Sequence, residues 1–482
     1  MNAGRQAFLV SAAHKSSGKT TVSIGICAAL RARGLAVQPF KKGPDYIDPM
    51  WLSLAAGRPC RNLDIHLSGM EAIRSTWATH AADADVAVFE GNKGLYDGLA
   101  IDGSDSNAAL ASGLGLPVIL VIDCRGITRG VAPLVLGYQA FDPGTRIAGI
   151  ILNRVGGKRH EGKLRDVLDR YTSVPVVGAI PETPELAILE RHLGLMPSNE
   201  ATDAADRVAS LQRIVERHLD LDRLLALTTS VPANVASILT LRPPRPKPAP
   251  RNNPIRVGIA RDRAFGFYYP DDLDALISAG AELVPIDTLR DPALPEIDAL
   301  FIGGGFPETL AATLEANSGM RASIRDAIRA GLPTYAECGG LMYLTQAITW
   351  QGRRYEMAGV IPAETTMQAK PVGRGYVEVE ATDQHPWWPQ GARLRAHEFH
   401  YSRLEQLPAD QVFGWNMRRG TGIDGQHDGL RLHNLFASYT HLRSFPISDS
   451  DNAGQTNWAA AFIKFAKGCD VHTGTRQESV RN

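Results

Sequence analysis

Short apolar runs alternate with amphipathic stretches through the first half of the chain. The runs at Ala7–Ser11, Val37–Phe40, Val86–Phe89, Val118–Ile122, Ile147–Leu152 and Val174–Ile180 predict strands. The patterns at Val22–Arg33, Glu71–His80, Thr128–Phe141 and Glu161–Tyr171 predict helices between them. Alternation at this spacing implies a parallel, doubly wound α/β sheet. Leu241–Pro250 is proline-rich and basic, suited to neither helix interior nor central strand, and reads as an extended linker. A second alternation follows, with strands at Ile255–Ala260, Glu282–Ile286, Ala299–Gly303 and Pro333–Ala336 and helices near Asp271–Ser278 and Ser318–Ala330. After Arg443 the pattern fades, apart from a short helical stretch at Trp458–Lys467. The expected organisation is a domain over 1–240, a linker over 241–254, a domain over 255–446 and a tail over 447–482. Each domain is expected to be α/β, a mainly parallel sheet flanked by helices.

Composition narrows the function classes. Lys plus Arg equals Asp plus Glu at 51 each in 482 residues, so no global field favours nucleic acid or an acidic membrane. The five cysteines (27, 60, 124, 338 and 469) are scattered without C-x-x-C spacing, which suits a reducing cytoplasm better than disulfides or zinc. No run of apolar residues is long enough to span a bilayer, and the N-terminus lacks a signal pattern. A cytoplasmic two-domain protein is expected.

The first strand runs into Ala13-His14-Lys15-Ser16-Ser17-Gly18-Lys19-Thr20-Thr21, which opens a helix. Loop amides and the positive helix end face an anion, Lys19 adds a charge, and Thr20 offers a hydroxyl to Mg²⁺. Ala13 replaces the first glycine of the usual phosphate-loop pattern, and Lys15 stands four residues before Lys19, as in the deviant P-loop of the MinD, ParA and dethiobiotin synthetase group. Gly18 and Thr21 belong to the same nucleotide-binding turn. After the second strand, Lys41-Lys42-Gly43-Pro44-Asp45-Tyr46-Ile47-Asp48-Pro49 can hold an anionic substrate and a metal together. Glu90 ends a buried-looking strand, where a carboxylate suits Mg²⁺ alongside Thr20 and Asp45. Asp97, in Gly94–Gly98, is expected to face substrate, and Asn153 offers a two-sided amide that can read adenine.

In the second half, Cys338 occupies a tight turn between a strand and a helix, an elbow that exposes a thiol at a helix N-terminus. Gly303-Gly304-Gly305 ends another strand, where bare backbone can approach an oxyanion. His441, at a strand end, is the preferred base, with His433 as a competitor. Cys, oxyanion loop and His suffice for acyl transfer from an amide such as glutamine. The cluster His397-Glu398-Phe399-His400-Tyr401-Ser402 lacks metal-ligand spacing and reads as substrate-contacting or packed strand.

Taken together, these landmarks resemble the cobyrinic or hydrogenobyrinic acid a,c-diamide synthase family, a dethiobiotin-synthetase-like ATP domain fused to a class I glutamine amidotransferase. The resemblance rests on the P-loop, Lys42–Pro49, Glu90-Gly91 with Leu95–Gly98, Gly303–Glu308, Tyr335–Leu344, His397–Ser402 and Ala437–His441. It implies a P-loop NTPase-like first domain and glutamine hydrolysis at Cys338 with His441 as base. Gly305 and Gly339 amides would serve as oxyanion donors. At the other site, ATP would activate a tetrapyrrole carboxylate as an acyl phosphate for attack by ammonia. Lys15 and Lys19 would hold phosphates, Thr20, Asp45 and Glu90 Mg²⁺, and Lys42, Tyr46, Asp48 and Asp97 the substrate region. The implied partners are glutamine and a tetrapyrrole polycarboxylic acid, with a homodimer left open.

Two features depart from the family pattern. Asn92-Lys93 replace apolar or small residues near the substrate loop, which keeps sirohaem and nickel-sirohydrochlorin open as acceptors. His441 is followed by Leu442-Arg443 and not by Pro-Glu, so a third, orienting carboxylate is not evident. Rival functions are cobyric acid synthesis, which the Asp45–Pro49 loop and His397–Ser402 disfavour, and a MinD/ParA-like switch, which leaves Cys338 and His441 unexplained.

Overall fold

The computed structural model describes residues 6–183, 190–191, 194–228, 254–445 and 457–469. The chain divides into two compact units, Met1–Pro246 and Lys247–Asn482. The proline-rich linker read at Leu241–Pro250 lies outside the described residues.

The first unit is built on seven parallel strands: β1 (Gln6–Ala12), β2 (Val37–Lys42), β3 (Arg61–Leu63), β4 (Val86–Glu90), β5 (Val118–Asp123), β6 (Ile147–Val155) and β7 (Val176–Pro181). Their spatial order is β3-β2-β4-β1-β5-β6-β7. β3 is absent from the sequence-based expectation because its three residues, Arg-Asn-Leu, carry no apolar run. The central strands are buried along their length, as parallel strands covered on both faces must be. Helices α1 (Lys19–Ala32) and α2 (Ile47–Ala56) follow β1 and β2. Register sets the site: Glu90 on β4 lies beside Val10 of β1 and Lys41 of β2. The carboxyl ends of three adjacent strands thus meet at one edge, where open α/β sheets bind ligands.

The second unit carries a nine-stranded sheet of β8 (Ile255–Ala260), β9 (Ala281–Ile286), β10 (Ala299–Ile302), β11 (Thr334–Glu337), β12 (Gly373–Ala381), β13 (Arg393–His400), β14 (Val412–Arg419), β15 (His427–Leu432) and β16 (Leu435–Ser438). The order is β9-β8-β10-β11-β16-β15-β14-β12-β13. The first five strands are parallel and the remaining pairings antiparallel. The sheet is therefore mixed, with an antiparallel half made by the sequence between the elbow and His441. Two helices frame the elbow's surroundings: α3 (Pro270–Ala279) and the short α4 (Gly339–Leu344).

A further helix, α5 (Trp458–Gly468), forms within the segment read as a tail. Asn457 caps it by accepting from the Ala460 amide at 3.1 Å. Trp458, Ala459, Phe462, Ile463 and Ala466 make one apolar stripe, buried in the same core as Phe301 and Tyr335. The Trp458 indole donates to Asp272 Oδ1 on α3 at 3.0 Å, and the Ser444 amide donates to the same oxygen at 2.6 Å. Among the described residues, no helix is long and apolar enough to cross a membrane.

Candidate functional site

The phosphate-type loop of the first unit takes the form its sequence demands. Gly18 adopts φ 81° at the start of α1, a conformation open to glycine at little cost. The Thr21 hydroxyl donates to the Gly18 carbonyl at 2.8 Å. The Asn153 amide, at the carboxyl end of β6, donates to the Ser17 carbonyl at 2.8 Å and props the loop from beneath. Its Oδ1 is buried with no hydrogen-bond partner among the described residues. Lys15 is exposed on the loop.

At the strand ends, one Glu90 oxygen, Oε1, accepts from Lys19 Nζ at 2.7 Å, Thr20 Oγ1 at 2.7 Å and Lys41 Nζ at 3.0 Å. The other, Oε2, is buried and unpartnered among the described residues. Asp48 Oδ2 accepts from Lys41 at 2.5 Å and from Thr20 at 3.2 Å. Asp45 stands further out, with Oδ2 3.7 Å from Lys41 and Oδ1 accepting from the Ile47 and Asp48 amides at 2.9 and 3.2 Å. Burial and the adjacent Asp48 push the Asp45 carboxyl up to about 7. Burial disfavours the Lys41 ammonium, but Asp48, Glu90 and Asp45 overcome it and hold the group well above its ordinary value. Burial acts against the Asp48 carboxylate too, and Lys41 and Lys19 reverse that to lower it.

The sequence reading put both lysines of the Lys41–Pro49 loop near the site and assigned only Lys42 to the substrate. Side chains alternate across a strand, and here the alternation turns Lys41 into the carboxylate cluster. Lys42 is half-buried nearby, its ammonium pushed down by burial despite Asp64 and Asp105. Tyr46 precedes α2 at its N-terminus, and Asp97 is exposed, accepting from the Gly94 amide at 2.9 Å. Lys93 holds a left-handed φ of 52° in a turn clamped by buried Asn107, which bonds the Asn92 amide and the Asn92 and Gly94 carbonyls.

In the second unit, Cys338 joins β11 to α4 at φ 47° and ψ −97°, a strained conformation for a residue with a Cβ. The thiol is less open than an elbow suggests: the residue is 8% exposed, with Sγ 3.8 Å from the Phe399 carbonyl. Backbone closes around it. A Cβ on Gly305 would lie 1.9 Å from the Ala264 carbonyl oxygen, and one on Gly339 would lie 2.9 Å from the Gly305 nitrogen. Only glycine permits this approach of the two segments.

His441 hydrogen-bonds the Cys338 thiol and, through Nδ1 at 3.3 Å, Glu337 Oε2. Burial lowers the ring's proton affinity, but these two bonds and their fields outweigh it and raise His441 to about 10. His433 sits exposed in the turn between β15 and β16, at the opposite end of β16 from Cys338. His397 pairs its backbone with His441, stacks on that ring at 4.9 Å and meets Tyr269 Oη at 3.4 Å, a packed-strand role. The sequence reading looked for a carboxylate beside the histidine after residue 441, whereas the carboxylate that His441 Nδ1 meets is Glu337, directly before the cysteine.

The two units thus define a nucleotide-type phosphate loop with a carboxylate cluster, and a cysteine elbow whose thiol is hydrogen-bonded by a histidine. Residues 9–195 match the family model of the CobQ/CobB/MinD/ParA nucleotide binding domain, and residues 256–446 that of the CobB/CobQ-like glutamine amidotransferase domain. A cobyrinate a,c-diamide synthase of Magnetococcus marinus is 48% identical, covering 95% of this chain and 96% of its own. Those of Methanosarcina acetivorans and Listeria monocytogenes are 42% and 40% identical, covering 90% and 91% of this chain and 91% and 96% of theirs. The chain belongs to the cobyrinate a,c-diamide synthase family, and it carries the two domains of a glutamine-hydrolysing, ATP-dependent amidoligase.

Proposed function

We propose that the protein amidates the a and c acetate carboxylates of cobyrinic or hydrogenobyrinic acid, using ATP and glutamine. The observation that carries this reading is a near full-length relationship to cobyrinate a,c-diamide synthases in a chain that holds both sets of site residues. In the amidotransferase unit, Cys338 sulfur attacks the glutamine carboxamide carbon. His441 delivers a proton to the departing ammonia, and water then cleaves the thioester to glutamate. The Gly305 and Gly339 amides face the developing oxyanion.

In the first unit, Lys15, Lys19 and the loop amides bind the nucleotide phosphates, and Asn153 Oδ1 accepts from the adenine amino group. Thr20, Asp48 and Glu90, with Asp45 beside them, present hard oxygen donors, and the unpartnered Glu90 Oε2 fits them to Mg²⁺. When bound, Mg²⁺ neutralises phosphate charge. Lys42, Tyr46 and Asp97 border the substrate. A substrate carboxylate oxygen takes the γ-phosphoryl group and releases ADP; ammonia attacks the acyl carbon and phosphate leaves, once at each carboxylate. Mass spectrometry of products from cobyrinic acid, hydrogenobyrinic acid, sirohaem and nickel-sirohydrochlorin, each offered with Mg·ATP and glutamine, tests the acceptor. Two added amides on a corrin acid alone are expected. Amidation of sirohaem with corrins untouched would overturn the pathway.

The close backbone approach at Gly305 gives a second expectation. Gly305→Ala forces a methyl group into the Ala264 carbonyl, costing about 1–3 kcal/mol of stability or displacing the strand. A lowered melting temperature together with a fall in glutaminase kcat, measured on the full chain, is the expected result.

A further inference from the structure

We infer that Glu337 is the positioning residue of the amidotransferase centre, completing a Cys338–His441–Glu337 relay in which the carboxylate comes from the residue just before the nucleophile. This rests on the glutaminase reading of Cys338. Glu337 is 3% exposed and its two oxygens are divided between separate tasks. Oε1 accepts from the Tyr335 phenol at 2.6 Å and from the Leu442 amide at 3.0 Å; Oε2 faces His441 Nδ1 at 3.3 Å. The Leu442 bond is informative, because it ties the carboxylate to the backbone of the residue next to the base. Ring and carboxylate are thereby located relative to each other by main chain as well as side chain.

Strand geometry explains how adjacent residues serve opposite sides of one centre. Tyr335 and Glu337 share a face of β11, so the phenol reaches the carboxylate from two residues away. At Cys338 the chain breaks from strand geometry, which lets the thiol swing toward His441 while Glu337 approaches the same ring from behind. The phenol is itself fixed: Tyr335 stacks on Phe301 at 5.3 Å and packs edge-on to Trp387 at 5.0 Å, with Trp458 at 4.9 Å. An acceptor at Nδ1 holds a proton on that nitrogen, leaving Nε2 toward the sulfur as the group that takes and returns a proton. Of the other titratable groups around the ring, His397 stacks on it from β13, and Cys338 bonds it from the elbow.

The test is steady-state glutaminase kinetics against pH for the full chain and its Glu337→Gln, Glu337→Asp, Tyr335→Phe and Cys338→Ala forms. Glu337→Gln is expected to lower kcat about 10- to 100-fold with KM for glutamine within about twofold, because the residue touches the base and not the substrate. Its alkaline limb moves to lower pH, since the imidazolium loses the anion that retained its proton. Tyr335→Phe is expected to give a smaller fall with the same direction of limb shift, and Glu337→Asp a kcat between wild type and Glu337→Gln. A kcat for Glu337→Gln within twofold of wild type, with an unmoved limb, overturns the inference. Should that variant not fold, an unmoved limb in Tyr335→Phe overturns it instead. Absence of any glutaminase activity that Cys338→Ala removes sinks the underlying reading, a distinct result.

Discussion

Cys338→Ala is expected to abolish glutamine-supported amidation, by at least about 10³-fold, while ammonia-supported amidation stays within about threefold of wild type. The asymmetry follows from the separation of chemistries. Without sulfur there is no atom at the elbow to form the thioester, and His441 has nothing to deprotonate. The cluster proposed to activate the carboxylate, built on Lys19, Thr20, Lys41, Asp48 and Glu90 in the other unit, does not include Cys338. Truncation to alanine removes one buried sulfur whose polar contacts are His441 and, at 3.8 Å, the Phe399 carbonyl, so folding is little disturbed. Parallel assays with glutamine and with ammonium chloride, read as amide formed, distinguish this from general inactivation. Loss of both activities would argue that the two sites are not chemically independent.

Lys41→Met is the second variant with a large expected effect, on stability as well as activity. The ammonium is 1% exposed and bridges Asp48 and Glu90; its removal leaves two carboxylates facing each other with Lys19 as the remaining bonded cation. Breaking a buried pair from one side costs about 3–5 kcal/mol. The full cost shows at neutral pH, by sign. Asp48 is lowered on folding, so its contribution is present above its ordinary value near 3.8 and lost as pH falls through the folded value. Lys41 is raised, so its contribution is present below its ordinary value near 10.5 and lost only above it. A melting temperature lowered by several degrees, a fall of at least about 10²-fold in synthetase kcat, and partial restoration of melting by Mg²⁺ are expected. A variant that melts like wild type would show the cluster to be relaxed by water.

Which parts of this were legible in the chain depended on whether the signal was local. The phosphate loop, Glu90 at a strand end, the elbow at Cys338 and His441 all announce themselves in a few contiguous residues. The choice between Lys41 and Lys42 does not: it turns on which residue of β2 faces Glu90, a matter of strand register. Asp48, read as a substrate residue, meets Thr20 and Lys41 because the first turn of α2 brings it back over the strand end. Glu337 escaped because its partner lies 104 positions later in the chain. The antiparallel half of the second sheet was readable in part, since Val377, Val379 and Ala381 alternate with Glu378 and Glu380 along β12. Its pairing with β13 and β14 was not.

The aromatic wall behind Tyr335 has a bearing on where this protein can be cut. The match to the amidotransferase family model ends at residue 446, yet Trp458 and Phe462 of α5 belong to the core that backs the strand of Cys338. An excised amidotransferase stopping at residue 446 lacks that wall and exposes the aromatic face of β11. The folded amidotransferase unit is longer than its family model, and a nick or early stop just ahead of α5 removes core packing behind Cys338.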